Sequence, residues 1–216
     1  MLVKGRMSSP VITVPPDIPI WEAHRLMKKE GVRRFPVVDK NGHLLGIISE
    51  KNILNASPSP ATSLSIYEIN YLLSKVKVRE IMNKNVITIH EDAPLEEAAR
   101  VMVDNKIGGM PVVRDKEVVG IITETDIFKI FLELLGARQS GVRISCLVPN
   151  IPEELSQLTK AIFDSGGNLL TLGTFLGESC ENREITMKVE GLSIQMLREA
   201  IEPYVNKILD IREGNL

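Results

Sequence analysis

The sequence predicts an α+β chain: two β-α-β-β-α repeats packed as a pair, followed by a β-α-β-β-α-β unit. Three observations carry that expectation. VITVPPDIPIWEAHRLM at residues 11–27 recurs as VITIHEDAPLEEAARVM at residues 86–102, and Phe35-Pro36-Val37-Val38 recurs as Met110-Pro111-Val112-Val113. Each copy then ends alike, in Gly46-Ile47-Ile48-Ser49-Glu50 and Gly120-Ile121-Ile122-Thr123-Glu124. Beyond Gly136 the repetition stops and a different alternation of apolar runs begins. Repetition is weighed before single elements because it sets the architecture in which they must fit.

Within a copy, residues 11–14 read as a short strand. A Pro/Asp turn and a helix follow, and in the second copy Leu95, Ala98, Ala99 and Met102 fall on one helical face. Two β-branched runs, residues 35–38 and 44–48, flank Asp39-Lys40-Asn41-Gly42. Asn-Gly supplies the positive φ values that a tight hairpin needs. A last helix opens just after Ser49 or Thr123. A unit of about 50 residues is too small to bury its sheet alone, so the two copies should pack together.

Between the copies, NASPSPATS at residues 55–63 carries no charge and reads as a loop. Ile66, Ile69, Leu73 and Val76 then share one face of an amphipathic helix, which either binds a partner or clamps the repeats. After Gly136, strands are expected at 143–148, 169–176, 183–189 and 208–212, with helices at 152–165 and 194–204. That order is the ferredoxin-like split βαβ arrangement. The domains are therefore residues 1–54, 78–136 and 137–216, with 55–77 as linker.

Composition narrows the function classes. With 26 Lys+Arg against 28 Asp+Glu the formal net charge is -2, which disfavours duplex DNA as partner while leaving room for a local anion site. The opening MLVKGRM lacks a signal-peptide core and no apolar stretch approaches about 18 residues, so the expectation is a cytoplasmic chain without a membrane span. Cys146 and Cys180 have no CxxC spacing, and His24, His43 and His90 are scattered, so no metal site is expected. No P-loop and no Ser/His/Asp or Cys/His signature is present, which points away from an enzyme.

The tetrapeptides Ser49-Glu50-Lys51-Asn52 and Thr123-Glu124-Thr125-Asp126 carry the chemistry. A hydroxyl at a helix N-terminus sits beside free N–H groups and the positive end of the dipole, which suits a phosphate. A carboxylate three residues on can accept hydrogen bonds from the two hydroxyls of a ribose diol. The same spacing also makes a capping box, which binds nothing.

The paired copies, each with a hydrophobic-Pro-Val-Val strand and a Gly-Ile-Ile-(Ser/Thr)-x-x-(Asn/Asp)-Ile ending, closely resemble cystathionine-β-synthase (CBS) domains. Such pairs, called Bateman modules, bind AMP, ADP, ATP or S-adenosylmethionine between the copies and often dimerise. The resemblance implies that Asp126 takes the ribose diol and Thr123 the phosphate, with Asn52 and Ser49 as their counterparts. Residues Ile12, Thr13, Ile87, Thr88, Pro36, Val37, Pro111 and Val112 would line the adenine pockets. Asn52 lacks the charge of Asp126, so the Asp126 cleft should bind more tightly. Arg33 and Arg34 stand where the second copy has Gly108 and Gly109; they either contact a phosphate, favouring the other cleft, or are solvated surface residues.

The last third resembles an ACT domain. That family often pairs through its sheets and binds amino acids, and the resemblance implies Asn150, Ile151, Pro152, Gly167 and Asn168 as ligand-facing residues. Glu153 stands where such sites commonly have Gly, while Pro152 with Glu153 and Glu154 also makes a good helix start and Gly166-Gly167 a helix C-cap. Dimerisation without a ligand is the favoured reading of this domain. The whole arrangement resembles acetoin-utilisation AcuB-type proteins. It implies a non-enzymatic sensor that relays an adenosine-containing ligand to a dimer interface or a protein target; the alternatives are an amino-acid or small-metabolite sensor acting through the last domain, and a structural adaptor.

Overall fold

The computed structural model describes residues 1–57 and 65–214. The chain divides into two compact units, Met1–Ile127 and Phe128–Leu216. The first unit runs α1 (Ile20–Glu30), β1 (Arg34–Val38), β2 (Leu44–Ser49), α2 (Glu50–Ala56), α3 (Ile66–Lys75), α4 (Val78–Ile81), β3 (Ile89–His90), α5 (Leu95–Asn105), β4 (Gly109–Arg114) and β5 (Glu117–Thr123), ending within α6 (Glu124–Leu134). Both hairpins are antiparallel, with Pro36 opposite Ile47 and Pro111 opposite Ile121. The turn between β1 and β2 is built as its residues dictate. Gly42 takes φ 82°, and the Asp39 carboxylate accepts from the Asn41 and His43 amides.

The strand expected at residues 11–14 is not formed. Only Val14 pairs, as a single parallel bridge to Val37, and the second copy has the two-residue β3 on Val112 and Val113. Pro10, Pro15 and Pro16 flank the first segment and bring no N–H to a ladder. The uncharged linker also starts later than expected, since Asn55 and Ala56 are still in α2; residues 58–64 lie outside the described residues. The helix expected over Ile66 to Val76 is α3, which opens with a Ser65–Glu68 capping box. Its Leu73, with Val76 just beyond it, packs on the core of the first repeat, while Tyr67 and Tyr71 point to solvent.

The two copies exchange their leading segments. Val76 at the end of the linker and Val78, Arg79 and Asn83 at the start of the second copy bond to the first: Ile20 N–H donates to Val76 O at 3.0 Å, Val78 N–H to Ile18 O at 3.0 Å, and Ile47 and Asn83 exchange two bonds of 2.9 Å. The start of the first copy does the same to the second. Leu95 N–H donates to Met1 O, Val3 N–H to Ala93 O and Ser8 N–H to Ile121 O, at 3.0, 3.0 and 2.9 Å. Val78 is accordingly fully buried among Ile20, Phe35, Val37, Ile48 and Ile53 of the first repeat. Neither repeat completes its core without a segment belonging, by sequence, to the other.

The second unit holds β6 (Gly141–Pro149), α7 (Glu154–Asp164), β7 (Asn168–Leu176), β8 (Asn182–Glu190), α8 (Ile194–Ile201) and β9 (Lys207–Gly214). The sheet is antiparallel in the order β7-β8-β6-β9. Leu158, Ile162, Leu197 and Ile201 of the two helices bury against Ile144, Cys146, Val148, Ile185 and Met187 on one face. Burial pushes the Cys146 thiol up to about 12, so it is an inert packing group. On the opposite face Ser145 and Thr186 hydroxyls meet at 2.7 Å, and the buried Lys188 ammonium donates to the carbonyls of Gly136, at 2.9 Å, and Gln139.

Two helix boundaries depart from expectation. The first helix starts at Glu154 and not at Pro152, because Glu153 sits at its N-cap in the left-handed region with φ 70°. The second gives way to a 3-10 turn at Glu202–Tyr204, where Pro203 brings no N–H to an α-helical bond. The Gly166-Gly167 C-cap is formed, with Gly166 at φ 86° and Gly167 N–H donating to Ile162 O at 2.9 Å.

Candidate functional site

Both tetrapeptides fold as the capping boxes their spacing allows. Ser49 N–H and Oγ donate to Asn52 Oδ1 at 2.9 and 2.5 Å, and Asn52 N–H returns to Ser49 Oγ at 3.2 Å. Thr123 N–H and Oγ1 donate to Asp126 Oδ2 at 3.0 and 2.7 Å, and Asp126 N–H returns to Thr123 Oγ1 at 3.4 Å. The box orients Asp126, which is 9% exposed, at the first turn of α6.

What separates the two boxes is their surroundings. Thr123, Thr125 and Asp126 line a cleft of about 260 Å³ whose other walls are Ser8, Pro10, Val11 and Ile12, the turn from Gly31 to Phe35, and Ile121. Arg33 and Arg34 of the first copy thus face Thr123 and Asp126 of the second. The turn before β1 thus brings both arginines to the Asp126 cleft, while Arg34 still pairs with Ser49 and the Arg33 carbonyl accepts from Glu50 N–H in the first copy.

Arg34 is half-buried and its Nη1 donates to Gly108 O at 2.7 Å. Burial first, then the neighbouring Arg33 charge, lower its pKa, with Glu124 opposing. Arg33 is exposed, and its carbonyl accepts from Glu50 N–H at 2.9 Å.

Of the other expected adenine-pocket residues, Ile12 lies in this cleft. Thr13 instead lines a separate concavity with Val14, Pro15, Ile18 and Glu22. Pro36, Val37, Pro111 and Val112 are buried within the hairpins, and Val37 and Val112 are fully enclosed in packing. Ile87 and Thr88 are exposed in the stretch before β3, on the side of the second copy. Val11, Val32 and Thr125 line the cleft without having been singled out. Aligning each copy with the other could not find them, since the cleft joins the start of one copy to the end of the other.

In the second unit, Asn150, Ile151 and Pro152 line a concavity of about 600 Å³ with Glu153, Glu154, Thr174 and Arg183. Gly167 and Asn168 do not join them within one chain. They follow the other end of α7, about 16 Å away at about 1.5 Å rise per residue. Arg183 Nε donates to Asn150 Oδ1 at 2.9 Å, and Asn150 Nδ2 to Cys180 O at 3.0 Å. Glu154 is 7% exposed, its Oε1 is buried without a hydrogen-bond partner, and burial raises its pKa above the usual carboxylate range.

Among the described residues no group of three or more His, Cys, Asp and Glu is placed to hold a metal ion, and no helix is long and apolar enough to cross a membrane.

Comparison with known proteins places these features. The CBS domain family matches residues 3–59 and 78–133, just over half of the chain. L-aspartate semialdehyde sulfurtransferase of Methanocaldococcus jannaschii is 38% identical over 131 residues, which is 60% of this chain but 23% of that protein. The chain therefore spans about a quarter of that relative. A CBS domain-containing protein of Dictyostelium discoideum is 32% identical over 136 residues, 62% of this chain and 94% of its own.

Among solved structures, the CBS domain pair of protein MJ0100, in complex with 5'-methylthioadenosine and S-adenosyl-L-methionine, is 39% identical with a TM-score of 0.51, over 61% of this chain and 95% of that one. A Vibrio cholerae protein named for acetoin utilization (AcuB) is 31% identical with a TM-score of 0.53, over 64% and 95%. CBSX2 in complex with AMP is 26% identical with a TM-score of 0.52, over 62% and 97%.

Proposed function

Because the chain belongs to the CBS-domain family, we propose that it is a non-enzymatic regulatory sensor that binds an adenosyl ligand in the cleft between its two repeats and relays the event to a dimer interface or a protein target. The observation that carries this reading is the cleft itself. It gathers a buried carboxylate held ready by Thr123, a helix N-terminus, the aliphatic side chains of Val11, Ile12 and Val32, and two guanidinium groups. Asp126 would take a ribose diol and Ile12 would face the adenine. The relatives solved with 5'-methylthioadenosine, S-adenosyl-L-methionine and AMP support the ligand class.

The ligand shifts the protein only by binding one packing of the repeats better than another. The exchanged leading segments give such a shift a route, since moving one repeat strains the backbone bonds of the other. Calorimetric titration with AMP, ADP, ATP and S-adenosylmethionine tests the reading, and absence of binding by all four at millimolar concentration would remove it.

A second reading assigns residues 137–216 to an ACT-type domain sensing an amino acid or similar metabolite. The orphaned Glu154 Oε1 favours it, because a buried acceptor beside Arg183 and Asn150 suits a ligand carrying both an ammonium and a carboxylate. Titration of the full chain with a panel of amino acids separates this reading from ligand-free dimerisation through the same domain.

A further inference from the structure

We infer that Met7 and Met82 form a paired oxidation site, at which a hydroperoxide converts the thioether to a sulfoxide and so frees the leading segment that each methionine holds on the opposite repeat. This site lies in the joint between the repeats and does not depend on what the cleft binds.

The two methionines occupy matching places. Met7 precedes Ser8, which exchanges two backbone bonds of 2.9 and 3.2 Å with Ile121; Met82 precedes Asn83, which exchanges two of 2.9 Å with Ile47. Each sulfur packs on the glycine just before that hairpin partner, in the space a β-carbon would need. A β-carbon on Gly46 would stand 2.6 Å from Met82 Sδ, and one on Gly120 would collide with Met7 Sδ and lie 2.9 Å from its Cγ. The other methionines do not combine access with such a contact. Met27, Met102, Met110 and Met187 are buried, while Met1 and Met196 are exposed at the surface. Met7 and Met82 are half-buried, so an oxidant reaches them and the joint depends on them.

The step needs only a hydroperoxide. A sulfur lone pair attacks one peroxide oxygen, the S–O bond forms as the O–O bond breaks, and the departing oxygen takes up the proton and leaves, as water when the oxidant is hydrogen peroxide. Sulfur gives up two electrons and the peroxide gains them; methionine sulfoxide reductase returns the thioether. The sulfoxide is larger by one oxygen atom and strongly polar. Neither change is tolerated where the sulfur already fills the open face of a glycine, because overpacking and an unmet acceptor both destabilise. The N–H groups of the adjoining residues, Ser8 with Ile121 and Asn83 with Ile47, are committed to the exchanged bonds. A sulfoxide is relieved by leaving the glycine, and the leading segment leaves with it. Ser8 and Ile121 also line the Asp126 cleft, so release at Met7 opens the wall of that cleft.

The test treats the full chain with hydrogen peroxide under native conditions, locates sulfoxides by mass spectrometry, and follows thermal melting and backbone hydrogen exchange. Met7 and Met82 should oxidise before the four buried methionines. Their oxidation should lower Tm by at least about 2–4 °C and speed exchange at the Ser8, Ile121, Ile47 and Asn83 amides. Methionine sulfoxide reductase should restore both readings. The double variant Met7→Leu with Met82→Leu, which nearly conserves volume, should melt and exchange alike before and after peroxide, although Met1 and Met196 still oxidise. Three results each overturn the assignment: resistance of Met7 and Met82 while Met1 and Met196 oxidise, sulfoxides at both sites with unchanged melting and exchange, or the same loss of stability in the double variant. Should that variant fail to fold, the reductase arm on wild type decides, since a loss that persists after both thioethers are restored overturns it as well.

Discussion

Met82 lies against Gly46: a β-carbon on Gly46 would stand 2.6 Å from Met82 Sδ and 2.9 Å from the Asn83 carbonyl oxygen. Met7 lies equally close to Gly120 in the other repeat. These two contacts lock each leading segment onto the hairpin of the opposite copy, and they explain why Gly opens both Gly-Ile-Ile runs. Gly46→Ala should cost about 1–3 kcal/mol in urea denaturation, as overpacking does. In a Met82→Ala background the cost should shrink but persist, because the Asn83 carbonyl stays in place. Strict additivity of the two changes would show that the sulfur is not the obstacle.

Asp126→Asn should keep the capping geometry at α6, since Asn52 makes the same box at α2, while losing the charged acceptor. We expect adenosyl affinity to fall about tenfold, equivalent to about 1.4 kcal/mol, in calorimetric titration. Asn52→Ala should have a smaller effect. Equal losses at the two positions would mean that the Asp126 cleft is not the tighter one.

Glu154 should give the second unit a distinctive pH response. Burial raises its pKa above the ordinary carboxylate value, so the folded state favours the protonated form. Its contribution is complete below the unfolded-state pKa and lost as pH rises through the folded-state one. Thermal melts of Glu154→Gln against wild type should therefore show the variant more stable at pH 7, with the gap closing towards pH 4. A gap that widens on acidification would require a cationic partner for Glu154.

Lys188 is buried with its ammonium satisfied by the Gly136 and Gln139 carbonyls. Lys188→Met fills similar volume but leaves those acceptors without their donor. Loss of a charge-assisted bond and an unmet carbonyl should destabilise the chain by about 2–3 kcal/mol in chemical denaturation. A neutral substitution would show that solvent reaches these carbonyls.

Much of this protein could be read directly from its residues. The repeat, the hairpin at Asp39 to Gly42, the helical face of Leu95, Ala98 and Met102, the two capping boxes and the C-cap at Gly166 all follow from local rules, in which a turn residue, a cap or a period acts within a few positions of itself. The element order of the last third is local in the same sense. Its errors are local too: a left-handed Glu153 delayed one helix, and prolines reduced the strand at 11–14 to one bridge.

Tertiary structure alone decided which residues meet. Comparing the copies position by position places Arg33 with Ser49 and Asn52; the fold keeps its carbonyl on the Glu50 amide and also brings it to the cleft of Thr123 and Asp126. The same comparison counts Val78 as part of the second repeat, although it is buried in the first. Long-range pairing has no period and no spacing that a sequence could display. It is selected by which arrangement buries Val3 and Val78 and satisfies the backbone groups of both hairpins. The sequence by itself determined the two repeats and the chemistry each could offer; the exchange of segments between them decided that this chemistry converges, with its arginines and its buried carboxylate, in one cleft.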